Sequence, residues 1–309
     1  MDDYPISMAE LEKRFSTQDA CLSYLAGLRW PSGYVCPRCA SEKGWKMENG
    51  LILCAVCRRQ QSVIAGTVFQ DSHMPLPTWF RAMWHVCANK NGMSAQNLQR
   101  LLGLRSYNTA WLCLHKLRRA MVRPGRECLS GIVEADETYL GGPREGQRGR
   151  GAFGTQIVFI AAEVRGRKVG RIRLFHIPGV SGAALMPAVS EAVMAGATVR
   201  TDGWTGYNGV TAGGYKHEVA VENADELADI VLPKCHLVIS LLKRWILGTL
   251  QGNVGKDHLQ DYLNEFTFRF NRRNAKSRGL LFYRLAQLAV GTAPNPRSTI
   301  VPPQDVVAG

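Results

Sequence analysis

Residues 131–140, GIVEADETYL, place three carboxylates in a run that otherwise has the composition of a β-strand. The acidic side chains are those of Glu134, Asp136 and Glu137. Charges on a core strand are costly to bury unless they are paired, solvated at the strand end or bound to a metal ion. Two more strand-like runs, a helical stretch and a fourth strand-like run follow, at residues 155–164, 170–177, 181–196 and 197–202. This order of elements predicts an α/β domain.

A second acidic strand end lies in TVRTDGWTGY, residues 198–207, and carries Asp202. Asp136 and Asp202 hold comparable positions, since each ends a strand-like run and is followed by a turn that contains glycine. Two aspartates from neighbouring strands offer the oxygen ligands that Mg²⁺ prefers, and paired cations of this kind support phosphoryl transfer. The alternative is a pair of unrelated aspartates that each cap a turn.

Two cysteine pairs, CPRC and CAVC, lie 14 residues apart in a segment with short strand-like runs and a turn. Two C-x2-C pairs at this spacing present four thiolates to one Zn²⁺ ion, in a closed site whose role is structural. The predicted ligands are Cys36, Cys39, Cys54 and Cys57. An odd total of nine cysteines argues against a disulfide framework.

The segment NGMSAQNLQRLLGLRSYNTAWLCLHKLRRAM, residues 91–121, reads as two helices about a short turn at Gly103. Ser94 is a candidate N-cap of the first helix, and Ser106 or Asn108 of the second. This pattern favours a helix-turn-helix whose second helix enters the major groove of DNA, and the alternative is a plain helical hairpin. The leucines predicted to face its core are Leu98, Leu101 and Leu102, and the predicted phosphate contacts are Lys116, Arg118 and Arg119.

The chain of 309 residues carries a net charge of +13, which favours nucleic acid as its partner. A segment rich in glycine and arginine, residues 141–151, predicts a mobile basic loop. The sequence contains no run of about 18 apolar residues, so we expect no membrane span. The first residues lack the pattern of a secretory signal, so we expect an intracellular protein.

These motifs together resemble the DDE transposases of bacterial insertion sequences, in the ISXO-like group that carries a zinc ribbon. The resemblance rests on CPRC…CAVC, EADETYLGG, TDGWTGY, HLVISLLKRWILGTLQG and HLQDYLNEFTFRFNRR. They follow one another in order from about residue 20 to residue 290. The resemblance implies a ribonuclease-H-like catalytic domain, with a mixed sheet flanked by helices, that acts on double-stranded DNA with Mg²⁺ or Mn²⁺.

The resemblance also implies catalytic residues. The first and second acids of the family fall on Asp136 and Asp202. The third position falls on His236, seven residues before Lys243, although family members often carry Glu or Asn there. On a helix, residues seven apart share a face, so His236 and Lys243 are both expected at the site.

A rival third acid is Glu265, which shares a helical face with Arg269 and Arg272. The alternative is that Glu265 forms only an ion pair on a solvated helix surface. The same helix carries an apolar stripe that would dock it on the sheet: Leu259, Leu263, Phe266 and Phe270. The basic residues expected to bind the DNA backbone here are Arg269, Arg272 and Arg273.

The predicted organisation is an N-terminal helical segment (1–30), a zinc ribbon (31–72), a helix-turn-helix region (73–125), a catalytic domain (129–292) and a Pro-rich, extended tail (293–309). The expected function is transposition: binding the terminal repeats of an insertion sequence, cleaving a strand and joining it to target DNA. Two ends must be held together, so a homodimer or larger assembly is expected, in the bacterial cytoplasm at the nucleoid. The alternatives are a non-catalytic zinc-ribbon DNA-binding protein and a nuclease that never joins strands.

Overall fold

A computed structural model describes residues 3–123, 125–141, 155–220, 231–252 and 254–301. Its contacts divide the chain into two units, residues 1–123 with 275–309 and residues 124–274. The basic loop predicted at residues 141–151 lies outside the described residues, apart from Gly141. Among the helices of the described segments, none has both the length and the apolar character that crossing a membrane requires.

The first unit combines a small sheet with helices. The strands, in the order β1-β2-β3, are β1 (Gly44–Lys46), β2 (Ile52–Cys54) and β3 (Gln60–Gln61), all antiparallel. The helices are α1 (Met8–Arg14), α2 (Gln18–Arg29), α3 (Leu76–Ala88), α4 (Ala95–Leu102), α5 (Tyr107–Ala120), α9 (Arg278–Gly291) and α10 (Arg297–Ile300). Five of them begin at a hydroxyl side chain that accepts a main-chain N–H, as helix N-caps do: Ser7, Thr17, Ser94, Ser106 and Ser277.

Helix α9 belongs to this first unit, whereas the sequence placed it in a catalytic domain ending at residue 292. Its Phe282 ring lies 5.5 Å from the ring of Phe80 on α3, and Phe80 lies 4.8 Å from Phe15. Aromatic packing at these separations stabilises a core beyond the area that it buries. The tail also differs from the extended segment expected, because residues 297–300 form α10 and Ile300 is fully buried.

The second unit is a five-stranded mixed sheet in the order β6-β5-β4-β7-β8. Strands β4 (Ile132–Leu140), β5 (Gln156–Arg165) and β6 (Lys168–Ile177) form an antiparallel meander, and β7 (Thr198–Thr201) and β8 (Lys216–Val219) run parallel to β4. The helices are α6 (Gly182–Ala192), α7 (Pro233–Leu250) and α8 (Leu259–Asn271), with short 3-10 turns at Thr205–Tyr207 and Lys256–His258. The predicted ribonuclease-H-like fold, a mixed sheet flanked by helices, is confirmed.

The two faces of this sheet have separate cores. On one face Val133, Ala135 and Val199 pack with α6. On the other face Val158 and Ile160 pack with α7 and α8. The alternation along β4 therefore sends its odd-numbered side chains toward α6 and its even-numbered ones, including Asp136, toward α7.

Helix α8 covers the outer edge of the sheet. The Gln260 amide accepts the N–H of His176 (2.9 Å) and donates to the carbonyl of Leu174 (3.3 Å). Asn271, three turns along, accepts the N–H of Ile172 and donates to its carbonyl. The predicted apolar stripe Leu259, Leu263, Phe266 and Phe270 lies in the core beneath, as expected.

Candidate active site

The register of the sheet places Asp136 beside Asp202. Strands β4 and β7 are parallel, and Val133 pairs with Val199 and Glu134 with Arg200. Continued by two residues, this register sets Asp136 opposite Asp202. Neighbouring strands lie about 4.8 Å apart, and paired residues in a parallel ladder point to the same face. Both carboxylates therefore face α7. Asp202 directly follows β7, as the sequence predicted, whereas Asp136 lies in the middle of β4 and not at its end, because β4 continues to Leu140.

His236 completes this group from the first turns of α7. Its Nε2 lies 3.7 Å from Oδ2 of Asp136, and its side chain is 54% exposed. Each aspartate is oriented through its other oxygen, since Oδ1 of Asp136 accepts the N–H of Glu137 and Oδ1 of Asp202 accepts that of Trp204. The second oxygen of each carboxylate is thus left to bind a ligand.

The electrostatics of the group favour a cation. Burial raises the pKa of Asp136, and the carboxylates of Asp202 and Glu134 raise it further, against the N–H of Glu137 and the imidazole of His236. The two carboxylates repel each other on one face of the sheet, and an imidazole lies beside them. Together these side chains are a donor set for Mg²⁺ or Mn²⁺. The side chains present here therefore fit the divalent cations expected from the sequence.

The other two carboxylates of β4 have structural partners. Oε2 of Glu134 accepts the main-chain N–H groups of Lys234 (2.7 Å) and Cys235 (3.0 Å) at the start of α7. Oε2 of Glu137, on the opposite face, accepts the hydroxyl of the buried Tyr207 (3.0 Å). Burial and Glu137 together raise the pKa of Tyr207 well above its usual value. Glu134 thus anchors the helix that carries His236.

We expect Glu134→Gln to lower the free energy of unfolding by about 1–2 kcal/mol, because a buried carboxylate at a helix N-terminus gains from both N–H groups and the helix dipole. Urea denaturation would measure the change. Glu218→Gln is the matched control: Glu218 pairs with Arg200 on an exposed strand, so its loss should cost under about 0.5 kcal/mol. Equal effects of the two substitutions would contradict the anchoring role.

Glu265 lies away from the aspartates. Its side chain is fully buried on α8, with Oε1 3.9 Å from Nη1 of Arg269. Helix α8 packs along β6, which is two strands from β4 and so about 10 Å away across the sheet. The structure therefore brings His236, and not Glu265, to the Asp136–Asp202 pair.

The arginines of α8 are engaged within their own unit. Arg273 donates to the carbonyls of Val169 and Gly170 and lies over the Phe270 ring, while Arg272 donates to the carbonyl of Phe268 and lies over its ring. Arg269 faces Glu265. These contacts secure the end of α8. Arg273 is exposed and Arg272 half-buried, so their phosphate contacts stay a prediction.

Lys243 lies on α7 two turns beyond His236 and is exposed. Seven residues of helix span about 10 Å, so both side chains lie along one stripe of α7. The shared face expected from the sequence is present.

The four predicted cysteines converge in the first unit. The Sγ atoms of Cys36 and Cys57 are 3.6 Å apart, as are those of Cys39 and Cys54, and all four lie within 4.8 Å of one another. Zn–S bonds of about 2.3 Å in a tetrahedron put sulfur atoms about 3.8 Å apart. The cluster therefore fits a structural Zn²⁺ ion, as predicted.

The two knuckles share one backbone geometry. Ala40 and Arg58, each directly after the second cysteine of a pair, have φ of 56° and 57°. Burial opposes ionisation of Cys36, yet the N–H groups of Arg38 and Cys39 bring the pKa of its thiol down to about 6. The matching N–H groups of Cys57 and Val56 lower the pKa of Cys54. Main-chain donors thus stabilise the thiolate form that binds zinc.

Helices α4 and α5 pack against each other, with Gly103 in the left-handed region (φ 63°) at the turn, an arrangement that fits both the predicted helix-turn-helix and the alternative helical hairpin. Ser94 and Ser106 cap the two helices, which selects Ser106 over Asn108. Leu98 is buried, but Leu101 is 52% exposed rather than in the core. The residues exposed around the turn and the start of α5 are Gln96, Asn97, Arg100, Arg105, Tyr107, Asn108 and Thr109.

The basic residues late in α5 do not form the phosphate-contacting face that the sequence suggested. Arg118 is 2% exposed and donates to the carbonyl of Met93, so it cannot reach a phosphate in this arrangement. Arg119 donates to Asn295 and to the carbonyl of Thr299 in the tail. Burial lowers the pKa of Lys116, which is half-buried. The exposed surface lies instead at the N-terminal end of α5.

Comparison with known proteins agrees with this picture. Residues 128–271 match the ISXO2-like transposase domain, and residues 16–60 match the transposase zinc-ribbon domain. A curated relative, the uncharacterized protein in transposable element ISH50 of Halobacterium salinarum, is 26% identical over 279 residues, which cover 83% of this chain and 92% of the relative. A chain in a cryoEM structure of the simian T-cell lymphotropic virus intasome with PP2A regulatory subunit B56 gamma has 13% identity, coverage of 60% and 70%, and a TM-score of 0.32, too low to define a shared fold. The chain therefore carries a transposase zinc-ribbon domain followed by an ISXO2-like transposase domain of the insertion-sequence DDE transposases.

Proposed function

We propose that this transposase binds the terminal repeats of its insertion sequence, nicks a strand and joins the freed 3′ end to target DNA at the Asp136–Asp202 site. The observation that carries the proposal is the meeting of Asp136, Asp202 and His236 on one face of the sheet. A third acid is not required by this arrangement, since His236 occupies the position from which one would act.

Within this proposal Asp136 and Asp202 hold two divalent cations, Mg²⁺ or Mn²⁺. Such a pair supplies activation of the attacking hydroxyl and stabilisation of the leaving 3′-oxygen. His236 is the third active-site residue, and it contacts the scissile phosphate or the attacking water while its Nε2 stays beside Oδ2 of Asp136. Glu134 holds α7 so that His236 stays in this place. Lys243 binds a phosphate further along the strand.

Sequence-specific binding is assigned to the first turn of α5, with support from the zinc ribbon. A helix N-terminus that enters the major groove places its first residues on base edges. The exposed Tyr107 and Asn108 are the side chains in that position, and Arg100 and Arg105 flank them for phosphate contacts. The basic residues exposed on the ribbon are Arg38, Lys43, Lys46, Arg58 and Arg59.

Asn108→Ala is expected to weaken binding to a terminal repeat about 10-fold or more, since a bidentate amide contact to adenine is worth about 1–3 kcal/mol of discrimination. Fluorescence anisotropy with repeat and scrambled duplexes would measure it, and binding to the scrambled duplex should hardly change. Asn274→Ala, at an exposed position outside this face, is the matched control. A uniform loss on both duplexes would show that Asn108 does not read sequence.

Two element ends must be joined in one reaction, so we propose that a homodimer or larger assembly forms on DNA. Its substrate places the protein at the nucleoid.

The deciding experiment incubates the purified protein with a labelled element end and a target plasmid, in Mg²⁺, Mn²⁺ or EDTA. Metal-dependent nicking at the end, followed by joined products, is the expected result. Nicking without joining from a pre-cut 3′ end would indicate a nuclease. Specific binding with no cleavage under any condition would indicate a DNA-binding protein that has lost catalysis.

A further inference from the structure

A cleft of about 300 Å³ lies beside the end of β4. Its walls come from four consecutive parts of the second unit: the end of β4, the start of β5, the middle of α7 and the segment that follows α7. The wall residues used below are Leu140, Gln156, Lys243, Leu247 and Val254. This volume is at the lower limit of small-molecule sites and admits a single ring system rather than a duplex.

Two elements run from the candidate active site to this cleft. Along β4, Asp136 precedes Leu140 by four residues, about 13 Å of strand. Along α7, His236 precedes Lys243 by seven residues, about 10 Å of helix. Because Glu134 holds the start of α7 against β4, both elements travel in the same direction. A DNA strand that passes along this stripe advances about 3.4 Å for each stacked nucleotide, and further for each nucleotide that is unstacked. The cleft therefore lies two to four nucleotides from the phosphate at the aspartates.

The wall chemistry suits a planar heterocycle. Leu140, Leu247 and Val254 supply aliphatic surface that a ring can stack against. Oε1 of Gln156 accepts a hydrogen bond from Nε2 of His176 (2.9 Å). The amide NH₂ group of Gln156 therefore points away from His176 and can donate to another group. Lys243 adds a cation at the exposed side. Donors beside aliphatic walls match the carbonyl oxygens and ring nitrogens at the edge of a nucleobase.

We propose that the cleft holds one unstacked nucleobase of the DNA strand that enters the active site, two to four nucleotides from the scissile phosphate. This inference rests on the proposed function. Extruding a base costs a few kcal/mol, and contacts with the cleft offset this cost. The consequence is that the strand is held in register with the aspartates, so that one phosphate is presented for cleavage.

The first test replaces each base within five nucleotides of the cleavage site by 2-aminopurine, whose fluorescence rises when it is unstacked. The wild-type protein is added in Ca²⁺ so that the strand stays intact. A several-fold rise at one position, two to four nucleotides from the cut, is expected. If the protein nicks the same DNA in Mg²⁺ but no position brightens, the cleft does not take a base and the proposed function stands. Failure to nick in Mg²⁺ or Mn²⁺ would instead overturn the proposed function.

The second test blocks the cleft with Val254→Trp. We expect the fluorescence rise to disappear and nicking to fall at least 10-fold, while an abasic nucleotide at the brightened position restores nicking to near the wild-type rate. Val301→Trp, outside this unit and partly exposed, is the matched control and should nick normally. Persistence of the rise in Val254→Trp, or loss of nicking that the abasic substrate does not relieve, would exclude the base-holding role.

Discussion

Asparagine in place of Asp136 or Asp202 is expected to lower metal-dependent nicking and joining by about a thousandfold or more, because the amide keeps the shape of the side chain but cannot hold a divalent cation. The two variants should be equally inactive, since the register sets the two carboxylates on one site. Single-turnover nicking of a labelled element end in Mg²⁺ would measure the rates. Asp257→Asn, at an exposed position of the same unit, is the matched control and should retain the wild-type rate.

The same variants separate a catalytic role from a structural one. Burial and the neighbouring carboxylates raise the pKa of Asp136. A carboxyl group whose pKa is higher in the folded state than in the unfolded state stabilises the fold at pH values below its unfolded-state pKa. This contribution is lost as the pH rises through the folded-state pKa, so at neutral pH the ionised carboxylate destabilises the fold. Asp136→Asn should therefore raise the melting temperature of the metal-free protein at pH 7, and each kcal/mol gained would add about 2–4 °C. An inactive variant that melts earlier than the wild type would point to damaged folding instead.

Removal of zinc should unfold the ribbon and leave the second unit folded. The three strands are two or three residues long, β1 is wholly exposed, and Trp45 is 48% exposed. So small a sheet buries too little apolar surface to fold alone, and a structural zinc site contributes about 10–16 kcal/mol of binding free energy at neutral pH. Chelation, or Cys54→Ser, should therefore lower protection of amide hydrogens across residues 36–61 to that of an unfolded chain.

Hydrogen exchange read by mass spectrometry would resolve this loss by segment, and zinc content would be measured on the same samples. Cys128→Ser is the matched control, because Cys128 is half-buried in the second unit and should leave both zinc content and ribbon protection unchanged. Terminal-repeat binding should fall with the ribbon if the ribbon supports DNA recognition. A ribbon that keeps its protection without zinc would contradict the structural role of the cluster.

Local patterns in the sequence were sufficient for the zinc cluster and for the pair of aspartates. The cysteine spacing is a property of a short segment, and Asp202 follows a strand end with a recognisable turn. Asp136 lies within β4 rather than at its end, because the strand continues through Glu137 to Leu140. The neighbourhood of the two aspartates then follows from one parallel pairing, β4 with β7. The order of strands and helices was likewise sufficient for the fold class.

Contacts between segments that are far apart in the sequence could not be predicted from local patterns. Glu134 meets main-chain groups 100 residues later, and no spacing rule predicts which helix begins over which strand. Helix α9 is apolar, but apolarity does not say which unit it joins. For Arg118 a signal was present: it lies eight residues after Ala110 and four after Leu114, on the face that packs inward. The predicted phosphate contact of Arg118 rested on its charge and not on its position in the helix.

The cover that α8 gives to β6 has a consequence for the behaviour of the protein at high concentration. An open strand edge is a template on which the strand of another molecule can add, which is the first step of aggregation. Gln260 and Asn271 occupy main-chain groups of β6 that such a strand would need. At the other edge, β8 is four residues long and carries the exposed charges of Lys216 and Glu218. Both edges therefore resist strand addition, and we expect the second unit to remain dispersed at the concentrations that assembly on DNA requires.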